Sequence, residues 1–414
     1  MRRIVRLCSF ALWMIAIGSW ATDAPAQVSI SAPCALPSSG AIIGFAPGSP
    51  TARKLILQRT IRCLQARGAL TASGAPDKGD HFVTFDPPGS FFTVPSGITL
   101  DGRITGYFGD ASGVQHGFLR TPSGTFVIFD PPGSVRTLPT DLDPAGEITG
   151  AYCDTASCAP QHGFVRDAAG AFVTFNAPGT SASIEAPIWN TGGPPPSINL
   201  QGTIAGTYSD AHLTEHGFIL SKSGALTTID APNALSTEVL AINPSGVVVG
   251  DLCNSTHCGI GFVRTPDGSF NTINTPGASC GGSIATGVNP AGAIVGMTYD
   301  SSCTTPLAYL RSPDGKITTF AIPGALTFAP QAINLTGLIT GWFYDAAGLF
   351  HAFLRSPNGM VTTIDVPGSF GTLGLGINSA GVIIGIYLDA GGAYHGFARS
   401  PGGANRLGLT LTTP

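Results

Sequence analysis

Histidine side chains recur along this chain at a spacing that could serve acid–base chemistry or metal binding. A His-Gly-Phe or His-Ala-Phe tripeptide begins at each of His116, His162, His216, His351 and His395. A catalytic base is needed once in a protein, whereas a side chain that shapes a repeated unit is needed in every copy. We therefore expect these five histidines to be structural.

Carboxylates end a second repeated segment, an Ile-x-Gly-x-Tyr-like run that precedes each tripeptide. Its copies end at Asp110, Asp154, Asp210, Asp300, Asp345 and Asp389, and once at Asn254. Aspartate at such a position can accept hydrogen bonds from loop amides. A row of carboxylates also suits ligand binding, so we treat these aspartates as candidate ligand-binding residues. Calcium binding and a paired-carboxylate hydrolase site are the alternatives; we expect no cofactor and no other metal.

Cysteine usage indicates disulfide bonds. Eight cysteines follow residue 26: Cys34, Cys63, Cys153, Cys158, Cys253, Cys258, Cys280 and Cys303. The even count favours disulfides in an exported chain. Two Cys-x4-Cys pairs lie at corresponding positions of two repeats, and Cys34–Cys63 and Cys280–Cys303 are further candidate pairs. A zinc site that includes His162 or His257 is the alternative, although zinc sites favour closer cysteine spacings.

One repeat contains an insertion of ten residues. The interval from Asn176 to Asn199 is 23 residues, where the usual corresponding interval is 13. The insertion carries Glu185 and Trp189, and an aromatic side chain in a loop beside a carboxylate can stack on a sugar ring or anchor a protein partner. Glu185 and Trp189 are therefore candidate binding residues. The alternative is that the tryptophan packs back onto its own repeat.

The repeats predict the fold. Four kinds of short segment alternate with a period of about 45 residues, and each kind occurs seven times. The segments are rich in β-branched residues and are bounded by turn residues such as Asn-x-x-Gly, which is typical of antiparallel strands. We predict an all-β fold, a seven-bladed β-propeller of four-stranded antiparallel blades, with a short N-terminal helical extension. An open β-solenoid is the alternative.

The order of the segments predicts how the ring closes. The repeat domain is expected over residues 81–414, and its first segment, residues 81–86, has the pattern of a fourth strand. The last repeat supplies only the first three strands. The N-terminal strand can complete that blade and so remove an open sheet edge. Residues 407–412 also alternate in hydrophobicity and are the alternative closing strand.

The motifs resemble those of a known family. The His-Gly/Ala-Phe core with its Asn-x-x-Gly and Ile-x-Gly neighbours is similar to the HAF-type bacterial extracellular repeat, over about residues 81–400. The resemblance implies an exported bacterial protein built from repeated blades. It brings no agreed activity and no catalytic residues. Two copies depart from the pattern, because Ile260 and Leu307 replace the histidine.

The first 80 residues lie outside the repeats. Residues 1–26 combine arginines, an apolar stretch and an Ala-Pro-Ala sequence, which is typical of a secretory signal peptide. A retained anchor is the alternative, but the apolar stretch is shorter than the roughly 20 residues of a membrane span. Residues 27–80 form an extension with a predicted helix over residues 50–67 that Ser49 can cap. This basic helix suits packing on the main domain or, alternatively, binding to an acidic surface or membrane.

The amino-acid composition limits the classes of function that this protein can have. Charged residues make up 11% of the chain and the net charge is −4, which excludes a basic nucleic-acid-binding surface. We expect a secreted or periplasmic monomer, without stable membrane insertion, that acts as a non-catalytic binding scaffold. Its partner would be an extracellular polysaccharide or protein, bound by the loops that carry the cysteines. The alternatives are a propeller hydrolase or lyase acting on glycans or lactones at the channel mouth, and a structural envelope or matrix protein.

Overall fold

The computed structural model describes residues 81–179, 183–184, 196–278, 282–302 and 305–401. Every helix or strand assigned within these ranges is a β-strand. No helix in the described part of the chain is long and apolar enough to cross a membrane. The predicted signal peptide, the extension with its helix over residues 50–67, and the alternative closing strand over residues 407–412 all lie outside the described residues.

The strands follow one another along the chain in sets of four. The first sets are β2 (Phe92–Ile98), β3 (Ile104–Gly109), β4 (Gln115–Arg120) and β5 (Phe126–Phe129), then β6 (Arg136–Leu142), β7 (Ile148–Cys153), β8 (His162–Arg166) and β9 (Phe172–Phe175). The next set contains β10 (Ser183–Ile184), β11 (Ser197–Ile198), β12 (Ile204–Ser209), β13 (Glu215–Leu220) and β14 (Leu226–Ile229). Both β10 and β11 pair with β12, so the innermost position of this set is shared by two short strands.

The remaining sets repeat the same order. They are β15 (Ser236–Ile242), β16 (Val248–Cys253), β17 (Ile260–Arg264) and β18 (Phe270–Thr272), then β19 (Ser283–Val288), β20 (Ile294–Tyr299), β21 (Pro306–Arg311) and β22 (Ile317–Phe320). After these come β23 (Ala325–Ile333), β24 (Ile339–Asp345), β25 (Phe350–Arg355) and β26 (Val361–Ile364), then β27 (Gly371–Ile377), β28 (Ile383–Leu388) and β29 (Tyr394–Ser400). The last set gains its fourth strand from the start of the chain, β1 (His81–Phe85), which pairs antiparallel with β29.

Each set is an antiparallel sheet, and neighbouring sets pack face to face. The first strand of a set lies against the second strand of the preceding set, as β6 does on β3 and β27 does on β24. One parallel bridge, between Gln115 and Arg136, also joins the first two sets. The circle is completed because β2 contacts β28 and β29. The prediction of an all-β fold made of four-stranded antiparallel sheets is therefore confirmed.

A ladder of asparagine amides joins the inner strands of neighbouring sets. Asn243 Nδ2 donates to the backbone oxygen of Asn289, and Asn378 Nδ2 donates to that of Thr99 across the closure of the circle, at 3.2 and 3.0 Å. The same bond is made by Asn199, Asn289 and Asn334. Each asparagine also accepts a hydrogen bond from the backbone N–H four residues later, as Asn243 Oδ1 does from Val247. One residue type therefore fixes the turn and links the sheets, which explains why it recurs.

Aromatic rings fill the space between the sheets. The phenylalanine of each His-Gly-Phe tripeptide is fully buried, and Phe164 packs edge-on against Phe129 of the preceding set at 6.4 Å between ring centroids. The glycine of Ile-x-Gly makes room for this ring, since a Cβ on Gly150 would lie 2.7 Å from Phe164 and 2.3 Å from the oxygen of Leu138. Tyr309 takes the place of the phenylalanine in one set and donates its hydroxyl to the oxygen of Ser283 at 2.9 Å.

Candidate functional site

The loops at one end of the ring carry the candidate residues. Strands within a set alternate in direction, so the loops between second and third strands and those between sets lie at the same end. We call this end the loop face. It bears the segments that begin at Asp110, Asp154, Asp210, Asn254, Asp300, Asp345 and Asp389. The opposite end, the turn face, carries the tight turns between the other strands.

Each repeated histidine lies between two polar side chains of the loop face. His116 Nδ1 donates to Asp130 Oδ2 at 2.7 Å, and His116 Nε2 lies 3.7 Å from Asp110 Oδ2. The other units are His162 with Asn176 and Asp154, His216 with Asp230 and Asp210, His351 with Asp365 and Asp345, and His395 with Asp86 and Asp389. We call each group a histidine unit. The units are partly exposed, so their outer atoms can be reached from solvent.

Stacking fixes the orientation of the histidine rings. His216 stacks on Tyr208 at 5.1 Å and His351 stacks on Phe343 at 4.9 Å between centroids. His116, His162 and His395 have equivalent ring neighbours. An imidazole with a ring partner and a polar partner on each nitrogen is held in one orientation, which agrees with the structural role expected from its recurrence.

The acidic partners raise the proton affinity of two histidines. The hydrogen bond to Asp86 raises the pKa of His395 above its usual value, against the opposing effect of burial, and Asp389 acts in the same direction. Burial lowers the pKa of His351, but Asp365 and Asp345 outweigh it, so the net shift is also upward. These two rings therefore hold a proton at a higher pH than a free imidazole does.

The aspartates at the ends of the second strands shape the loops. Asp110 Oδ1 accepts hydrogen bonds from the N–H groups of Ser112 and Val114, at 2.8 and 2.9 Å. Asn254 does the same for Thr256 and His257, although its set lacks the histidine. These bonds use one carboxylate oxygen. The second oxygen of each aspartate in a histidine unit faces the imidazole, so only part of the carboxylate remains for a ligand.

The partner aspartates also join neighbouring sets. Thr93 on β2 donates its hydroxyl to Asp86, which follows β1, and Thr137 on β6 donates to Asp130, which follows β5. Both threonines are fully buried. A histidine unit is therefore connected to the next sheet through its aspartate, and at Asp86 this connection spans the closure of the ring.

Two of the predicted disulfides are present in the described residues. Cys153 bonds Cys158, and Cys253 bonds Cys258. Both bonds cross-link loops of the loop face and leave these four sulfur atoms without free thiolates for zinc. Cys34, Cys63, Cys280 and Cys303 lie outside the described residues, as do Glu185 and Trp189 of the insertion.

The sequence analysis missed a carboxylate in the central channel. The first strands of the sets surround a cavity of about 240 Å³, and Asp141 is the one ionisable residue among the described residues that line it. Asp141 Oδ1 accepts from the Leu142 N–H at 2.8 Å, and Oδ2 accepts from Ser197 Oγ and the Ile198 N–H, both at 3.0 Å. Burial raises its pKa to about 6 despite these bonds. An alignment of the repeats reveals Asp141 as an exception, because small residues such as Gly97 occupy the corresponding position of the first strand in other sets.

A second missed carboxylate lies between two sheets. Asp251 on β16 pairs in register with Glu238 on β15, so both side chains point to the same face of the sheet. Burial, and then the nearby Glu215, raise the pKa of Asp251 to about 7. Other sets carry Tyr107 or Met297 at this position. The signal was a charged residue inside the Ile-x-Gly-x pattern, where the other sets carry no acidic residue.

Within the described ranges, no group of three or more histidine, cysteine, aspartate or glutamate side chains is already assembled to hold a metal ion. The loop face therefore brings the predicted histidines and aspartates together in pairs and triads within single sets. It does not bring the aspartates of different sets into one cluster.

Comparison with known proteins identifies the fold. No family model matches this chain, and no curated protein matches it in sequence. A catalytically inactive variant of virginiamycin B lyase from Staphylococcus aureus, solved with quinupristin, is similar in structure, with 12% identity and a TM-score of 0.53 over 78% of this chain and 99% of that chain. The β-propeller domain of the Trilobed protease from Pyrococcus furiosus matches at 9% identity and a TM-score of 0.52, over 78% and 100%. At this identity the similarity shows the fold alone, and the fold is a β-propeller.

Proposed function

We propose that this protein is an exported seven-bladed β-propeller that binds an extracellular polysaccharide through its loop face. The observation that carries the proposal is the recurrence of nearly the same partly exposed histidine unit in five sets around one face. A polymer with a repeating structure can contact several equal groups at once, and linked contacts bind more tightly than single ones. Carboxylate oxygens can accept more than one hydrogen bond, so those of the units also suit the hydroxyl groups of sugars.

The rigidity of the loop face supports a binding role. Disulfides close two of its loops between second and third strands, and aspartate side chains fix the others through backbone hydrogen bonds. A surface that is ordered before binding loses less conformational entropy on binding. The disulfides also agree with export to an oxidising compartment, secreted or periplasmic. We further propose that the protein acts as a monomer and that the ten-residue insertion with Glu185 and Trp189 borders the binding surface.

A glycan array with the protein lacking residues 1–26 tests this function. The binding variant changes Asp110, Asp345 and Asp389 to asparagine, because the natural Asn254 accepts a hydrogen bond from the backbone N–H two residues later, as Asp110 does. A control variant, Lys316→Ala, alters the turn face, where the side chain is distant from every histidine unit. We expect the wild type and the control to bind the same glycans and the triple variant to bind at least about tenfold more weakly.

Two results would contradict the proposal. Absence of binding to every glycan, with retained binding to a protein partner, would assign the loop face to protein recognition. Equal glycan binding by the triple variant would place the binding surface elsewhere on the molecule.

The second candidate is a hydrolase or lyase with its site in the channel, and Asp141 is the observation that favours it. A carboxyl group with a pKa of about 6 can exchange protons near neutral pH, as a general acid or base must. Turnover of a screened glycan or lactone by the wild type, lost in Asp141→Asn with unchanged folding, would establish this function. Turnover that survives the substitution would exclude Asp141 as the catalytic group.

A further inference from the structure

One loop of the loop face carries two histidines around a single carboxylate. In the segment from Asp210 to His216, His212 Nδ1 lies 3.5 Å and His216 Nε2 lies 3.7 Å from the same atom, Asp210 Oδ2. The residues that correspond to His212 in the other loops are Ser112, Ala156, Thr256, Ser302, Ala347 and Gly391. The second histidine is therefore a departure from the repeat and is not required by the fold.

The contacts of this loop place Nε2 of His216 and Oδ2 of Asp210 opposite each other. His216 Nδ1 donates to Asp230 Oδ2 at 2.9 Å, so the neutral ring carries its proton on Nδ1 and presents a lone pair at Nε2. Asp210 Oδ1 accepts from the N–H groups of His212 and Thr214, both at 2.8 Å. The remaining oxygen, Oδ2, faces Nε2. A lone pair next to a carboxylate oxygen is favourable only when a proton or a cation lies between them.

The distances fit a metal ion as that cation. Nitrogen and oxygen ligands about 2.0–2.1 Å from a tetrahedral zinc ion lie roughly 3.3 Å from each other. The two observed separations exceed this value by only a few tenths of an ångström. The side chain of His212 is 88% exposed, so its ring can turn toward an ion without disturbing any packing. His216 is already oriented by Tyr208 and by Asp230, and a carboxylate behind a metal-binding histidine is a common supporting arrangement.

We propose that Asp210, His212 and His216 bind one divalent transition-metal ion of the zinc class, with water completing the coordination. Two imidazole nitrogens and one carboxylate oxygen favour zinc, copper or nickel over calcium or magnesium, which prefer oxygen ligands. The three side chains assemble fully only when the ion draws His212 inward. This site is independent of polysaccharide binding, and its test does not use a glycan.

The loop of the first set offers a matched gain-of-function test. The segment from Asp110 to His116 has the same length, and its fourth residue, Gly113, adopts the same left-handed backbone conformation as Leu213, with φ of 88° and 61°. Ser112 occupies the place of His212. The substitution Ser112→His should therefore create a second site of the same kind, whereas His212→Ala should abolish the natural one.

Titration calorimetry with zinc chloride, on the disulfide-intact protein lacking residues 1–26 with any free thiols alkylated, measures the stoichiometry. We expect one ion per chain for the wild type, two for Ser112→His, and at least about tenfold weaker binding for His212→Ala. Cobalt absorption spectra and histidine NMR resonances identify the ligands, and thermal unfolding verifies that the variants fold. Binding that is absent in the wild type, or unchanged in His212→Ala, would overturn the proposal.

Discussion

Single side chains in this protein serve two neighbours at once. Asn289 accepts a hydrogen bond from the N–H of Ala293 within its own turn and donates its amide to the oxygen of Asn334 in the next set. His395 and Asp86 likewise belong to one sheet, while Asp86 also accepts from Thr93 of the next. Recurrent residues therefore stabilise the contacts between sheets as well as the sheets themselves.

Substituting Asn289 tests this double role. Asn289→Ala removes both hydrogen bonds in a buried turn and should lower the free energy of unfolding by about 1–3 kcal/mol. Asn289→Asp keeps the acceptor of the turn, as the natural Asp143 does at the same position, but turns a buried carboxylate oxygen toward the Asn334 oxygen and should cost at least as much. Urea denaturation measures both values. A smaller loss for Asn289→Asp than for Asn289→Ala would show instead that the turn bond, which the aspartate keeps, contributes more than the bond between the sets.

At the scale of elements, the sequence predicted the positions and pairing of the strands but not all of the contacts between them. Alternation and Asn-x-x-Gly turns were sufficient for the four-stranded antiparallel sheets, because both signals are local. The divided inner position of β10 and β11 could not be predicted, because the insertion hides it from the repeat alignment. The hydrogen bonds of Asp141 could not be predicted for the same reason, since its partners Ser197 and Ile198 follow that insertion.

The N-terminal strand β1 completes the last sheet of the ring by pairing with β29. Phe85 of β1 and Phe129 of β5 are both buried at corresponding positions. Replacing either with alanine should cost about 3–5 kcal/mol. Among the described strands, only β1 is separated in sequence from the sheet that it completes, so Phe85→Ala should also make the strand open locally.

Limited proteolysis under native conditions distinguishes the two variants. Cleavage near residues 81–91 should accelerate in Phe85→Ala and remain at the wild-type rate in Phe129→Ala. Equal resistance of both variants would mean that β1 opens only when the whole ring unfolds.

At the scale of the whole molecule, the raised pKa values of four groups change the stability in the same direction between pH 5 and pH 8. Asp141 and Asp251 have folded-state pKa values of about 6 and about 7, well above the value of about 3.9 expected in the unfolded chain. His351 and His395 are also raised above their usual value. In each case the folded state binds its proton more tightly than the unfolded state does, so the stability contributed is lost as the pH rises.

We therefore expect the free energy of unfolding to fall by a total on the order of 2–4 kcal/mol as the pH rises from about 5 to about 8. The melting temperature should fall with it. In another set, methionine (Met297) occupies the strand position that corresponds to Asp251. The substitution Asp251→Met should therefore raise the stability at pH 8 and reduce the dependence of the stability on pH. Calorimetry at several pH values measures both. A stability that increases between pH 5 and pH 8 would show that other ionisable groups determine the pH dependence of folding.

The sequence by itself determined the strand pattern and the four-stranded sheets, because tight turns and alternating side chains act over a few residues. It also indicated the disulfides Cys153–Cys158 and Cys253–Cys258, whose members lie only five residues apart. The tertiary structure alone decided which groups meet across sets: the hydrogen bonds of Asp141 to β11, and the burial of Asp251 near Glu215. These contacts join residues that are distant in the chain, so their energies depend on how the ring closes and leave no local pattern.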